Sequence, residues 1–346
     1  MTPPLLAVRD LRVRFATEGG VVKAVDGVSF DVERGRTLGI VGESGSGKSV
    51  TNLTLLGLHN PARTTIEGSA ILDGTELVGA PERVLRDLRG QRVSMVFQDP
   101  LTALSPYFTV GAQIVETYRR HTGAGRREAT ARAVDMLDRV GIPQPARRAR
   151  EFPHQFSGGM RQRAMIAMAL VCEPDLLIAD EPTTALDVTV QAQILDLLAE
   201  LQEQLGTAII LVTHDLGVIA DVADDVLVMY AGRAVEFGAV GEVLDTPRHP
   251  YTRGLLASVP RLSDALDRPL RPVPGSPPSL LAPPPGCAFH PRCAQVIDGP
   301  ETPCRTVLPL LERVHAGSGG SEHAAACHLD GAPGTAAPTD LRGATP

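Results

Sequence analysis

The chain has 346 residues, 43% of them hydrophobic and 21% charged, with a formal charge of −7. This is ordinary for a soluble globular protein of one large domain plus an appendage, and the negative balance does not suggest a general affinity for nucleic acid. No apolar run is long enough to span a bilayer and the N-terminus lacks a charged-then-apolar signal pattern, so the chain is expected to stay in the cytosol.

In chain order, Leu6–Arg9, Leu11–Phe15 and Val21–Phe30 read as strands, with Gly19-Gly20 and Asp26-Gly27 as turn signals. A small antiparallel sheet is expected there. Arg36–Val41 reads as a buried strand running into Gly42-Glu43-Ser44-Gly45-Ser46-Gly47-Lys48-Ser49, and Val50–Leu56 as the helix behind it. The octapeptide matches the phosphate loop, G-x-x-x-x-G-K-[ST]. Its glycines take backbone conformations closed to other residues, so successive N–H groups can converge on an anion. Lys48 brings a positive charge to the terminal phosphates, Ser49 offers a hydroxyl to Mg²⁺, and the helix dipole at Val50 faces the phosphates. Residues 68–74 read as a further short strand.

Val93–Phe97 has a buried-strand pattern ending at Gln98, whose amide can reach Mg²⁺ and the lytic water. Residues 110–150 read as mainly helical and carry many arginines, Arg119, Arg120, Arg126 and Arg127 among them. These form either a solvated helix surface or a contact for an acidic protein partner; no aromatics interleave the charges as nucleic-acid binding would favour. Phe156-Ser157-Gly158-Gly159-Met160 precedes a helix over Met160–Leu170. Ser157 is a good cap, and two glycines leave the helix N-terminus bare to an anion. A second phosphate cradle makes sense if it serves a nucleotide held by another subunit.

Asp175–Asp180 reads as an apolar strand ending in two carboxylates. Asp180 is expected to hold Mg²⁺ and Glu181 to polarise the attacking water as general base. A helix over Val190–Leu205 and a strand over Thr207–Thr213 follow, with His214 at the strand end as a donor to the γ-phosphate, a role that the neighbouring Asp215 favours. The alternation implies a parallel sheet covered by helices. Val226–Tyr230 and Arg233–Glu236 read as a closing hairpin. Cys172 reads as a small buried hydrophobe. Residues 269–286 are proline-rich and read as an extended tether, and residues 330–346 as a disordered tail.

Taken together, the loop 42–49, Gln98, the segment 156–160, Asp180-Glu181, Ala185-Leu186-Asp187 and His214 resemble the nucleotide-binding subunit of an ATP-binding cassette (ABC) transporter, in that family's order and over about residues 5–245. The resemblance implies an α/β phosphate-loop NTPase with a parallel sheet core, an antiparallel β subdomain, a helical subdomain at about 99–158 and a small C-terminal extension. It implies ATP and Mg²⁺ as ligands, Phe15 stacked on adenine, and head-to-tail pairing with a second homologous subunit, a heterodimer being expected. Ser157, Gly158, Gly159 and Met160 would then close on the partner's γ-phosphate, with Asp187 at the seam. Met160 stands where the family most often has glutamine; since recognition there relies on Ser157 and backbone N–H groups, little loss is expected.

Phe97–Pro106, the run His249-Pro-Tyr-Thr252 with Leu255-Leu256 and Val259-Pro260, and the cysteines Cys287, Cys293, Cys304 and Cys327 resemble the oligopeptide and dipeptide importers. That branch implies a cassette over 1–245, an extension over 246–329, two membrane permeases, an extracytoplasmic peptide-binding protein, and a place on the cytoplasmic side of the membrane. It also implies that the four cysteines ligate a [4Fe–4S] cluster, thiolate being the ligand such iron demands. Free reduced thiols and zinc, with His290 and His328 nearby, remain open. Other cargo (a nickel chelate, glutathione, an antibiotic peptide) and a soluble cassette ATPase acting on nucleic acid or ribosomes are the alternatives; the latter predicts tandem cassettes or a long coiled-coil insert, and neither is present. A phosphate-loop kinase would lack an acceptor site.

Overall fold

The computed structural model describes residues 3–184, 186–259, 272–297, 299, 301–313 and 323–329. Ala185, Pro260, the first residues of the expected tether and the tail 330–346 lie outside the described residues. The strands are β1 Leu6–Thr17, β2 Gly20–Val32, β3 Thr37–Val41, β4 Thr64–Leu72, β5 Thr75–Glu76, β6 Val93–Val96, β7 Leu176–Asp180, β8 Ala208–Thr213, β9 Asp225–Tyr230, β10 Arg233–Ala239, β11 Glu312–Arg313 and β12 Ala324–Ala325. The helices that matter here are α1 Lys48–Leu55, α2 Val110–Thr122, α3 Arg126–Arg139, α4 Gly158–Leu170, α5 Val188–Leu205, α6 Leu216–Val222 and α7 Pro250–Ala257. The chain divides into two compact units.

The first unit is built mainly on Ala80–Val212, with Val32–Arg36 added. β6, β7 and β8 pair in parallel, Val93 opposite Leu176 and Leu176 opposite Ala208. Every residue of β7 and β8 is buried, which is why both strands read as continuous apolar runs instead of alternating ones. Local chemistry sets the helix ends. Thr109 caps α2 by accepting the Ala112 N–H at 3.3 Å, and α5 stops at Gly206 in the left-handed region. Several arginines are tied down within the unit: Arg132 meets Glu173 and Arg148 meets Glu151, each at 2.6 Å. That pairing favours the solvated helix surface over a partner contact for these positions. Cys172 is half-buried, not fully enclosed, and burial pushes its thiol up to about 11.

The second unit contains Leu6–Asp31, Thr37–Gly79 and the chain from Thr213 onward. One sheet runs β2-β1-β4-β5, and β1 pairs antiparallel with β4. The two expected strand runs at 6–9 and 11–15 are one strand, β1, whose register slips between Arg9 and Arg12 where Asp10 takes a φ of 45°. Asp26-Gly27 is likewise no turn: β2 runs through it, and Gly27 absorbs the irregularity at φ 88°. In the other sheet β3 lies parallel to β9, β9 pairs antiparallel with β10, and β12 pairs with both β10 and β11. The hairpin expected at 226–236 is present. The segment from 272 to 286 has no regular structure, as its prolines dictate, but it is anchored. The Lys23 N–H donates to the Leu280 carbonyl at 3.1 Å, and Arg292 binds the carbonyls of Val273 and Pro274. No helix among the described residues is long and apolar enough to cross a membrane.

Candidate functional site

The phosphate-loop sequence lies between β3 and α1, as its flanks predict. Two of its glycines are dictated by space. A Cβ on Gly42 would sit 2.2 Å from the Met229 carbonyl oxygen, and one on Gly47 would sit 2.5 Å from that of Ala24. Gly47 caps α1 in the left-handed region without a side-chain cap hydrogen bond, which leaves the helix's N-terminal N–H groups uncapped by its own N-cap residue. Lys48 is buried, and its Nζ donates to the carbonyls of Gly42 at 2.6 Å and Glu43 at 3.1 Å. Ser49 is exposed, Val50 is half-buried, and Ser46 is buried with Oγ unpaired among the described residues. Phe15 is half-buried, its ring edge-on to His59 with centroids 5.3 Å apart.

Glu43 is held at both its backbone and its side chain. Its N–H donates to the Tyr251 hydroxyl at 2.8 Å. Its carboxylate receives both ends of the Arg292 guanidinium, at 2.7 and 2.9 Å. Glu43 raises the Arg292 pKa further, and burial pushes the Tyr251 hydroxyl up, so both stay protonated. No local pattern points to the Glu43–Arg292 pair, since 249 positions separate its members. Tyr251 lies in the 249–252 run, but that run carried no sign of its role.

In the other unit, β7 ends at Asp180, which is buried, and Glu181 follows in the left-handed region at φ 46°. That conformation is uncommon for a residue with a Cβ and recurs at functional sites. The Glu181 N–H donates to the Val212 carbonyl at 2.9 Å. Its carboxylate accepts from the Gln98 amide at 2.8 Å and the Thr184 hydroxyl at 2.9 Å. Gln98, read as a metal and water ligand, thus holds the carboxylate one residue beyond Asp180.

The segment 156–160 is anchored by buried Phe156 and leaves Ser157 and Gly158 exposed. Ser157 caps α4, its Oγ accepting the Met160 N–H at 3.3 Å. Asp187 caps α5 by accepting the Val190 N–H at 3.0 Å, and Val188 beside it is 81% exposed. His214 follows β8 and is exposed. Asp215, expected to support it, instead caps α6 through the Gly217 and Val218 N–H groups.

Cys287, Cys293, Cys304 and Cys327 line one small cavity, which Phe289 and His249 also border. None is in a disulfide, and burial pushes the thiols of Cys287 and Cys293 up. Among the described residues, however, no group of three or more His, Cys, Asp or Glu side chains is placed to hold a metal ion. The expected cluster and its zinc alternative therefore gain convergence of the thiols, but no closed coordination set.

The family described as "ABC transporter" matches residues 25–184, and the one described as "Oligopeptide/dipeptide transporter, C-terminal region" matches 235–299. The oligopeptide transport ATP-binding protein OppD of Haemophilus influenzae is 54% identical over 84% of this chain and 89% of its own length. The dipeptide transport ATP-binding protein DppD of Bacillus subtilis is 52% identical over 84% of this chain and 86% of its own. Among solved structures, a dimeric post-hydrolysis ATP-binding cassette bound to ADP and Pi has a TM-score of 0.61 at 26% identity, covering 68% of this chain and 98% of that one. A Clostridium perfringens subunit, part of the ABC transporter complex cbiONQ, has a TM-score of 0.60 at 29% identity, covering 71% of this chain and 92% of that one.

Proposed function

This chain belongs to the ABC-transporter ATP-binding proteins of oligopeptide and dipeptide transport, and on that premise we propose how its residues divide the work of powering peptide uptake. It binds and hydrolyses ATP for a peptide importer. In one unit the loop Gly42–Ser49 cradles the phosphates, with Lys48 moving from loop carbonyls to phosphate oxygens, Ser49 serving Mg²⁺ and Phe15 stacking on adenine. His214 donates to the γ-phosphate. In the other unit Asp180 serves Mg²⁺ and Glu181 orients and deprotonates the attacking water. Gln98 holds Glu181 until Mg²⁺ and water arrive. The observation that carries hydrolysis is Glu181 itself: a carboxylate at the end of a buried strand, in a strained backbone conformation, fixed by two donors.

Ser157, Gly158, Gly159 and Met160 complete a nucleotide pocket on a second, homologous subunit, a heterodimer being the expected pair. Asp187 lies at that seam, where the exposed Val188 would be covered. Tyr107 and Phe108, 84% and 60% exposed, are the aromatic contacts offered to the two permeases by the segment around 98–108. A peripheral position on the cytoplasmic face of the membrane follows, with the peptide-binding protein engaged only through the permeases. The proposed ligand of the four cysteines is a [4Fe–4S] cluster, with zinc the alternative; what supports a shared ligand is that the four side chains line one cavity. Bound there, the cluster would supply structural cross-linking of the extension; Cys287, Cys293, Cys304 and Cys327 would hold it.

The test is Glu181→Gln in the assembled transporter. Turnover should fall about a hundredfold or more, the scale for losing a positioned base, while MgATP stays bound between two subunits. Near-normal turnover removes Glu181 from the role of base. Cluster and zinc separate on anaerobic purification: a colourless protein with zinc and no iron rejects the cluster.

A further inference from the structure

Arg292 sits one residue before Cys293, in the C-terminal region, yet its guanidinium ends on the phosphate loop. Its polar contacts are directional hydrogen bonds. One terminal nitrogen donates to Glu43 Oε2 at 2.7 Å and to the Tyr230 hydroxyl at 3.2 Å; the other donates to Glu43 Oε1 at 2.9 Å and the Val273 carbonyl at 3.3 Å. Nε donates to the Pro274 carbonyl at 2.7 Å. The guanidinium also lies over the Tyr230 and Phe289 rings, 5.7 and 5.9 Å from their centroids. The side chain is 6% exposed, so this is an enclosed, bidentate, charge-assisted pair and not a solvent-screened surface contact. Tyr251, fully buried in the same region, accepts the Glu43 N–H at 2.8 Å. Glu43 is thus held at both backbone and side chain by residues that a cassette ending near 245 would not contain.

The carbonyl of Glu43 also holds Lys48. The clamp therefore acts on the peptide units that must present N–H groups to an anion and release the lysine to it. We propose that Arg292 and Tyr251 are positioning residues for the phosphate loop, making nucleotide affinity depend on the docked C-terminal region; this rests on the reading of Gly42–Ser49 as the ATP site. A loop fixed before the ligand arrives loses less freedom on binding, which appears as tighter binding and not as faster chemistry.

The experiment titrates MgADP into the purified full-length chain by calorimetry and measures KM and kcat for ATP in the assembled transporter. Arg292→Met should weaken MgADP binding and raise KM about tenfold, the loss expected when charge-assisted hydrogen bonds that preorganise a site are removed, with kcat at saturating ATP within about twofold. Tyr251→Phe, which keeps the buried ring, should raise both constants by a few fold. Adding Glu43→Gln to Arg292→Met should recover part of the lost affinity, since no half-buried carboxylate is then left without its partner. A purely structural role would lower the melting temperature without this split or recovery. Unchanged MgADP affinity in Tyr251→Phe and in an Arg292→Met chain that still melts cooperatively overturns the proposal, as does a fall in kcat at constant KM. If Arg292→Met does not fold, Tyr251→Phe decides alone. Wild-type chain that binds no MgADP would sink the site reading itself, an outcome distinct from both.

Discussion

Two helices of this chain begin at glycine-bearing loops suited to phosphate, and they are built in opposite ways. α1 starts at a left-handed glycine that offers no side-chain cap; the residue after it, Lys48, is buried, and the loop's carbonyls already hold its ammonium. α4 starts at an exposed Ser157 whose own hydroxyl caps it, followed by an exposed Gly158 and no adjoining lysine. The first loop carries charge, enclosure and a free dipole within one chain. The second has only a dipole and a surface. The contrast fits the proposed division of labour, in which the first loop would bind a nucleotide unaided and the second would be half of a site.

The sharpest way to break this contrast is Lys48→Ala. If the first loop is complete in one chain, removing its only ammonium should weaken MgADP binding to the purified chain more than a hundredfold, on the scale of about 3–5 kcal/mol for breaking an enclosed charge pair. Calorimetry checks it, and affinity within tenfold of wild type would show that the backbone cradle suffices without the lysine.

Gly158→Asp sharpens the other side. A Cβ there meets only Leu186 Cδ2 at 3.8 Å, an ordinary contact, and an acidic residue in the first turn suits the helix dipole. The chain should fold as well as wild type and bind MgADP within about twofold. A carboxylate aimed at a partner's γ-phosphate costs several kcal/mol, so turnover of the assembled transporter should fall on the order of a hundredfold. Full turnover from this variant would mean that no phosphate approaches α4.

The same contrast marks how far the sequence can be read. The phosphate loop, β7 with its two carboxylates, the 156–160 cap and the closing hairpin are local patterns, and each was legible because neighbours in sequence make the site. The continuous β1 and β2 were not. Asp10 and Gly27 sit at irregularities inside strands, and the residue types that relieve a kinked strand are those that make turns. Arg292 and Tyr251 were illegible for a different reason: their partner is Glu43, and no periodicity or spacing links positions that far apart. Asp215 misled because a carboxylate after a strand serves equally as partner to His214 or as cap to α6, and only the Gly217 and Val218 contacts decide between the two.

The smallest expected effect separates the two duties of Ser157. Its hydroxyl caps α4 in the single chain, and in the proposed pair it would also reach the partner's phosphate. Ser157→Ala removes both, whereas Ser157→Asn keeps a capping oxygen on a different stem. Loss of the cap alone costs about 1 kcal/mol, visible as a modest fall in melting temperature for Ala and little change for Asn. Loss of one hydrogen bond to a charged phosphate is worth about 1.5–3 kcal/mol, so turnover should fall roughly ten- to a hundredfold in Ala, the lower figure holding if backbone N–H groups carry most of the recognition. If Asn restores the melting temperature but not turnover, the hydroxyl acts on the partner's nucleotide. If it restores both, Ser157 is a cap, and the recognition across the seam belongs to the backbone of Gly158 and Gly159.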